Sequence, residues 1–354
     1  MAKKKYIIPI FIPHLGCPND CVFCNQRVIT KQNEIVDRKY VQKEIDKYLN
    51  YFPQDVKSIE VAFYGGSFTG LKRNLIIEYL DSVNDYIKNG IVESIRLSTR
   101  PDYIDIDIAD LLKSYNVKTV ELGVQSMVDD VLRANNRGNC ALDVLDSFKI
   151  LREYNFDIGL QMMTGLYKSS LEDDLYTANS LADLRPDFVR IYPTMILPDT
   201  YLYELYNNGE YNPMKLDEMI DHVKKIVMIF EGNNINITRI GLPDIQDESD
   251  DIPNMIGPYH PALRQIIYSE IYFEAISNYL IYFQNRRKLT LYANNSNISY
   301  LSGYKSMNRD RIYKIIKSKP SFRTKDLRDG LVEIEDKEII DINKYCLNKI
   351  RGIT

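Results

Sequence analysis

Along the first 242 residues, short apolar runs alternate with amphipathic stretches, and the two kinds of segment keep different periods. Tyr6 to Pro13, Ser58 to Tyr64, Ser94 to Thr99, Thr119 to Val124, Ile158 to Met163 and Phe188 to Tyr192 are brief and mostly rich in β-branched or aromatic residues. They read as strands. Val41 to Tyr51, Leu75 to Ile87 and Leu171 to Ala182 instead repeat apolar residues every three or four positions, the spacing of one helix face. Strands separated by helices need crossover connections, which makes neighbouring strands parallel. Six such units predict an α/β fold, an incomplete (β/α)6 barrel, with its chemistry at the C-terminal ends of the strands.

The pattern breaks at Pro243-Asp244-Ile245-Gln246-Asp247-Glu248-Ser249-Asp250-Asp251-Ile252-Pro253, an acidic, proline-bearing segment. The expected division is therefore 1–242 for the barrel, 243–258 for an acidic linker or loop, and 259–354 for a small α+β C-terminal domain. In that last part Ala262 to Tyr282 reads as a long helix. Leu289 to Ala293 and Ile298 to Leu301 read as strands, and Arg309 to Lys317 as another helix.

Composition narrows the class. The 354 residues, 45% hydrophobic and 27% charged, suit a globular protein with a sizeable core. No apolar run approaches the roughly 20 residues that span a bilayer. Met1-Ala2-Lys3-Lys4-Lys5 is followed by an apolar run too short and too β-like for a secretory signal. The expectation is a cytoplasmic protein in a reducing compartment, with no membrane partner. The net charge of −4 conceals an asymmetry, because residues 259–354 hold 17 Lys and Arg against 10 Asp and Glu.

The chemistry concentrates in Gly16-Cys17-Pro18-Asn19-Asp20-Cys21-Val22-Phe23-Cys24-Asn25, a C-x3-C-x2-C run following the first strand. Thiolates are the usual ligands of iron–sulfur clusters, and this spacing can hold three corners of a cube and leave the fourth iron open. A closed zinc site is the other reading, with His14 as fourth ligand. Five cysteines in a chain of this length are not a secreted disulfide pattern, and Cys140 and Cys346 read as ordinary thiols.

The cysteine run, with Phe23 before the third cysteine, resembles the signature of the radical S-adenosylmethionine (SAM) superfamily. That resemblance implies a [4Fe-4S] cluster on Cys17, Cys21 and Cys24, whose open iron chelates SAM through its amino and carboxylate groups. It further implies reductive cleavage to a 5′-deoxyadenosyl radical, fed by an electron donor such as flavodoxin or ferredoxin. The fold becomes an incomplete (β/α)6 radical SAM barrel. Phe63-Tyr64-Gly65-Gly66-Ser67-Phe68 matches the family's glycine motif for the SAM amino group, giving Gly65, Gly66 and Ser67 as contacts. Gln125 and Arg137 resemble residues of the oxygen-independent coproporphyrinogen oxidase branch that reach the SAM ribose and carboxylate. Ser98 stands where relatives usually have glutamate and keeps only a hydrogen bond to offer.

A longer ordered series, Thr99 to Tyr103, Glu121 to Ser126, Asn136-Arg137-Gly138, Met162-Met163, Ile191 to Thr194 and Tyr203 to Tyr206, resembles the Elongator catalytic subunit. That family starts C5 modification of the tRNA wobble uridine. The cysteine loop departs from it, since Asn25-Gln26 follows Cys24 where the family has Pro-Gly-Gly. A stand-alone bacterial relative without the acetyltransferase domain is expected, acting on tRNA. A small molecule such as a porphyrin precursor, or a non-catalytic cluster-binding module, are the alternatives. Lys305, Arg309, Arg311, Lys314 and Lys317, interleaved with Tyr304 and Tyr313, read either as an RNA-docking face or as a solvated helix surface. His260, beside Pro261, reads as structural.

Overall fold

A computed structural model describes residues 5–12, 16–17, 21–25, 36–53, 56, 58–242, 255–283, 288–335 and 337–353. His14 and residues 243–254 of the acidic segment lie outside the described residues.

The six strands expected of the barrel are all present. The main sheet contains β1 (Tyr6–Ile12), β2 (Ile59–Gly65), β3 (Ser94–Thr99), β4 (Val117–Gln125), β5 (Asp157–Thr164) and β6 (Phe188–Pro193). A seventh strand, β7 (Asn236–Ile240), extends the six-unit expectation. The order is β1-β2-β3-β4-β5-β6-β7, parallel throughout, the sequential winding of a barrel whose β1 and β7 do not pair. Asn236 and Thr238 alternate with Ile235 and Ile237, a register shift then turns Ile240 to the buried side, and the five residues of β7 give a weak periodic signal.

Helices follow the strands and cover one face: α1 (Arg38–Tyr51), α2 (Arg73–Lys88), α3 (Ile106–Ser114), α4 (Asp129–Ala134), α5 (Ala141–Glu153), α6 (Leu171–Asp183), α7 (Tyr201–Asn207) and α8 (Leu216–Gly232). Local chemistry fixes where they begin. The Asp37 carboxylate accepts from the Tyr40 N–H at 2.8 Å, and Ser170 and Asp173 close a capping box on α6. Val61, Phe63, Ile95, Leu97, Val189 and Ile191 point from the strands into the helical layer and are buried.

The C-terminal region is α9 (Leu263–Leu280), β8 (Leu289–Ala293), α10 (Ile298–Ser302), α11 (Met307–Ile316), β9 (Pro320–Thr324), β10 (Leu331–Ile334), β11 (Glu338–Asp341) and α12 (Ile342–Ile350). Its four strands form a second sheet in the order β11-β10-β8-β9. The strand expected at Ile298 to Leu301 is a helix. Asn294 receives the Asn297 N–H at 2.9 Å, and Gly303 closes the turn at φ +83°, so turn chemistry overrides an apolar run too short to fix its own period. One apolar core runs through the barrel helices and this region. Lys224 of α8 bonds Glu274 of α9 at 2.5 Å, and Arg264 donates to the Ile237 carbonyl of β7 at 2.7 Å.

Candidate active site

The cysteine loop is anchored at the C-terminal end of the sheet by backbone contacts. Gly16 has φ +78°, and a Cβ there would lie 2.1 Å from the Ser67 carbonyl oxygen. Glycine alone permits that approach, which brings Cys17 against the turn after β2. The Val22 N–H donates to the Asn135 carbonyl at 3.2 Å, and the Leu202 N–H donates to the Val22 carbonyl at 2.8 Å. Val22 packs with Ile196, Leu202, Leu205 and Tyr211, and Phe23 lies against the same cluster. The aromatic before the third cysteine thus sits against an apolar patch formed by the segments after β6.

None of the three cysteines is in a disulfide: Cys21 is buried, Cys17 and Cys24 half-buried. Arg137, just beyond α4, aims one guanidinium nitrogen at the Cys21 Sγ, 3.6 Å away, and donates with the other to the Gly123 carbonyl. Its Nε is buried without a partner, and so is one terminal nitrogen of Arg100. Burial pushes the Cys17 thiol up, while the Ser67 backbone N–H, Arg137 and Arg100 favour its thiolate. Unsatisfied buried guanidinium donors beside cysteines fit an anionic occupant, such as a thiolate-bound cluster with a carboxylate ligand. Among the described residues, no three His, Cys, Asp or Glu side chains gather as a single-ion cage.

The remaining expected contacts fall at the same strand ends but are engaged differently. Gly65 has φ +113° and lets the end of β2 close onto Ile12, whose carbonyl accepts the Gly66 N–H at 2.8 Å. That N–H is therefore already committed. The Ser67 hydroxyl lies 2.9 Å from the Thr99 hydroxyl and accepts the Arg100 N–H at 3.2 Å, so its side chain braces the turn. Ser98 is half-buried and lines a small cleft with Ile12, Tyr64 and Gly66. Gln125 ends β4 at φ +69°, after a register shift, and its amide pairs reciprocally with that of Gln161 at 2.7 and 3.3 Å.

The sequence profile of the Radical SAM superfamily matches residues 11–181, and that of the Radical_SAM C-terminal domain matches residues 186–272. The chain belongs to the radical SAM superfamily. Among curated relatives it is similar to Elongator complex protein 3 of Dictyostelium discoideum, 29% identical over 49% of this chain and 35% of that protein. It is also similar to the tRNA uridine(34) acetyltransferase of Methanocaldococcus infernus, 29% identical over 41% of this chain and 28% of that one. The chain thus spans about a third of the curated relatives' lengths. Among solved structures, archaeal Elp3 of Methanocaldococcus infernus superposes with a TM-score of 0.57, at 19% identity, covering 77% of this chain and 64% of that one. The partial barrel is therefore the radical SAM fold. No helix among the described residues is long and apolar enough to cross a membrane.

This radical SAM barrel carries a feature that reading the sequence did not single out. Its concave face holds an ionic ladder. Glu60, fully buried, accepts from Arg96 Nε at 2.8 Å, Ser94 at 3.0 Å and Lys5 at 3.3 Å. Glu121 accepts from Arg96 at 2.9 Å, Arg190 at 2.6 Å and the Tyr64 hydroxyl at 3.4 Å. Burial pushes the Tyr64 hydroxyl well up, so it stays a donor. The signal was legible as charged residues at mid-strand positions of a sheet otherwise apolar, in Ile59-Glu60-Val61, Ile95-Arg96-Leu97 and Val189-Arg190-Ile191.

The basic segment is divided by the structure. Lys305, Arg309, Lys314 and Lys317 are exposed. Arg311 instead bonds Glu270 at 2.7 Å and lies 3.6 Å from the Phe273 ring centroid, so it pins α11 to α9 and offers little to a ligand. His260 meets Tyr304 edge-on, with ring centroids 5.2 Å apart, and accepts the Ala262 N–H at 2.9 Å, in keeping with a structural role.

Proposed function

We propose that this enzyme binds a [4Fe-4S] cluster through Cys17, Cys21 and Cys24, holds SAM at the strand ends, and modifies a base in tRNA. The observation that carries this is the arginine at the cysteine loop: Arg137 bridges Cys21 and the end of β4 and keeps a buried donor unused. When bound, the cluster supplies the electron, drawn from a donor such as flavodoxin or ferredoxin, that cleaves SAM to a 5′-deoxyadenosyl radical. The chain's own part is to fix the three thiolates, offer Arg137 to the SAM carboxylate and Gln125 and Ser98 to its ribose. The backbone around Gly65, Gly66 and Ser67 shapes the wall beside it.

Arg137→Ala is expected to weaken SAM binding by roughly tenfold to a hundredfold, the range for removing a charge-assisted hydrogen bond of about 1.5–3 kcal/mol. Isothermal titration measures it. Iron content should stay at the wild-type level, and an unchanged SAM dissociation constant removes Arg137 from the site.

Support for RNA comes from the relatives and from where the basic turn lies. Ile256 pairs with Ile196 just past β6, and the chain then runs through His260, which contacts Tyr304 beside Lys305. Lys305 is thus linked through Tyr304, His260 and the Ile256 bridge to the segment just past β6. Replacing Lys305, Lys314 and Lys317 together with glutamine should weaken tRNA binding. It should also flatten the log–log salt dependence by about one unit for each phosphate that is no longer neutralised. A filter-binding salt series tests this, and a wild-type protein without tRNA affinity at low salt excludes the reading.

A further inference from the structure

Four residues stand in one row across the last strands of the barrel. Gly123 is in register with Gln161, Gln161 with Arg190, and Arg190 with Arg239. The row begins where Arg137 grips the Gly123 carbonyl and ends at β7, the last strand of the sheet. It therefore lies one layer below the position assigned to SAM, on the concave face that a substrate must share with it.

Charge along this row is unbalanced. Arg190 has Glu121 as its partner, 2.6 Å away. Arg239, directly beside it, has no ion pair or side-chain hydrogen bond among the described residues, although it is half-buried. Like charges directly opposite on neighbouring strands repel. The other strand-borne carboxylate on this face, Glu60, already serves Arg96 and Lys5. Asp157 starts β5 four positions before Gln161, at the opposite end of the strand, and is exposed. Above the pair, the Tyr192 ring centroid lies 5.4 Å from the Arg190 guanidinium. Burial pushes the Tyr192 hydroxyl up and Glu121 adds to this, while the charges of Arg190 and Arg239 act in the opposite sense. Among the described residues Glu121 is the one carboxylate paired with either guanidinium, so two cations and a protonated hydroxyl share a single anion.

We propose that Arg190, Arg239 and the Tyr192 hydroxyl form a subsite for an oxyanion group of the substrate, namely the phosphate of the nucleotide that enters the barrel. The anion chemistry stands on the row alone, and its assignment to a nucleotide rests on the RNA reading above. A planar guanidinium suits either phosphate or carboxylate, so the source is decided by comparing probes.

The test uses the reconstituted enzyme with SAM and measures binding of uridine 5′-monophosphate, uridine and succinate, alongside whole tRNA. Wild type should bind the monophosphate about tenfold or more tighter than uridine, the size of one charge-assisted contact. Arg239→Gln should abolish that preference, and Arg239→Lys should retain part of it. The glutamine variant should melt no lower than wild type, because it removes a repulsion, so its loss of binding is not loss of fold. Equal binding of monophosphate and uridine by wild type overturns the nucleotide assignment. If succinate then binds in an Arg239-dependent way, the anion subsite stands and the RNA reading falls. If neither anion depends on Arg239 while tRNA still binds, the subsite is overturned and the RNA reading stands. No measurable binding of either anion likewise overturns the subsite.

Discussion

Alanine at Cys17, Cys21 or Cys24 is expected to leave the protein folded but unable to assemble its cluster, with SAM cleavage lost entirely. Anaerobic reconstitution of the wild type should give about four irons per chain, and each variant far less than one intact cluster. In the proposed cluster each thiolate would hold a different iron, and among the described residues the other thiols, Cys140 and Cys346, sit elsewhere, at the start of α5 and inside α12. The loop's placement rests on Gly16, Val22 and the patch around Leu202, none of which the alanine removes. Far-ultraviolet circular dichroism should therefore be unchanged. Iron quantification and 5′-deoxyadenosine formation give the readouts, and stoichiometric zinc without iron uptake would favour the closed zinc site.

Glu121→Ala is expected to destabilise the barrel by about 3–5 kcal/mol, as a drop in the urea midpoint. The Glu121 carboxylate is 4% exposed and is shared by Arg96, 14% exposed, and Arg190, 23% exposed. Removing it leaves two guanidiniums facing each other with one fewer anion, and the Tyr64 hydroxyl loses its acceptor. Burial works against the charge on Arg96, which Glu60 and Glu121 hold above its ordinary pKa, so both carboxylates are needed to keep it ionised cheaply. Glu121→Gln keeps two polar contacts and should lose less. A surface pair such as Lys118–Glu93, 43% exposed on both sides, should move the midpoint hardly at all when cut.

The barrel strands were readable because each carries a run whose length and side-chain type admit little else, and the cysteine spacing announced its own loop. What escaped detection needed three dimensions. β7 has a polar face and only five residues, so its period is hidden, and Ile298 to Leu301 was claimed by the asparagine turn before it. Glu60, Arg96, Glu121 and Arg190 look like isolated charges until parallel pairing stacks them on one face. Gly66 and Ser67 lie where the motif puts them, yet their polar groups close the turn against Ile12, Thr99 and Arg100, a use that only the folded chain reveals.

The bonds that tie the C-terminal region to the barrel, Lys224 to Glu274, Arg264 to Ile237 and Tyr268 to Glu231, have a consequence for substrate choice. They make the two parts a caliper with fixed jaws. A tRNA docked on α11, as proposed above, would meet the strand ends at a set offset along its own length. Such an enzyme can select a nucleotide by its distance from a shape feature of the folded RNA, as a gauge block selects a gap, without reading the letters in between.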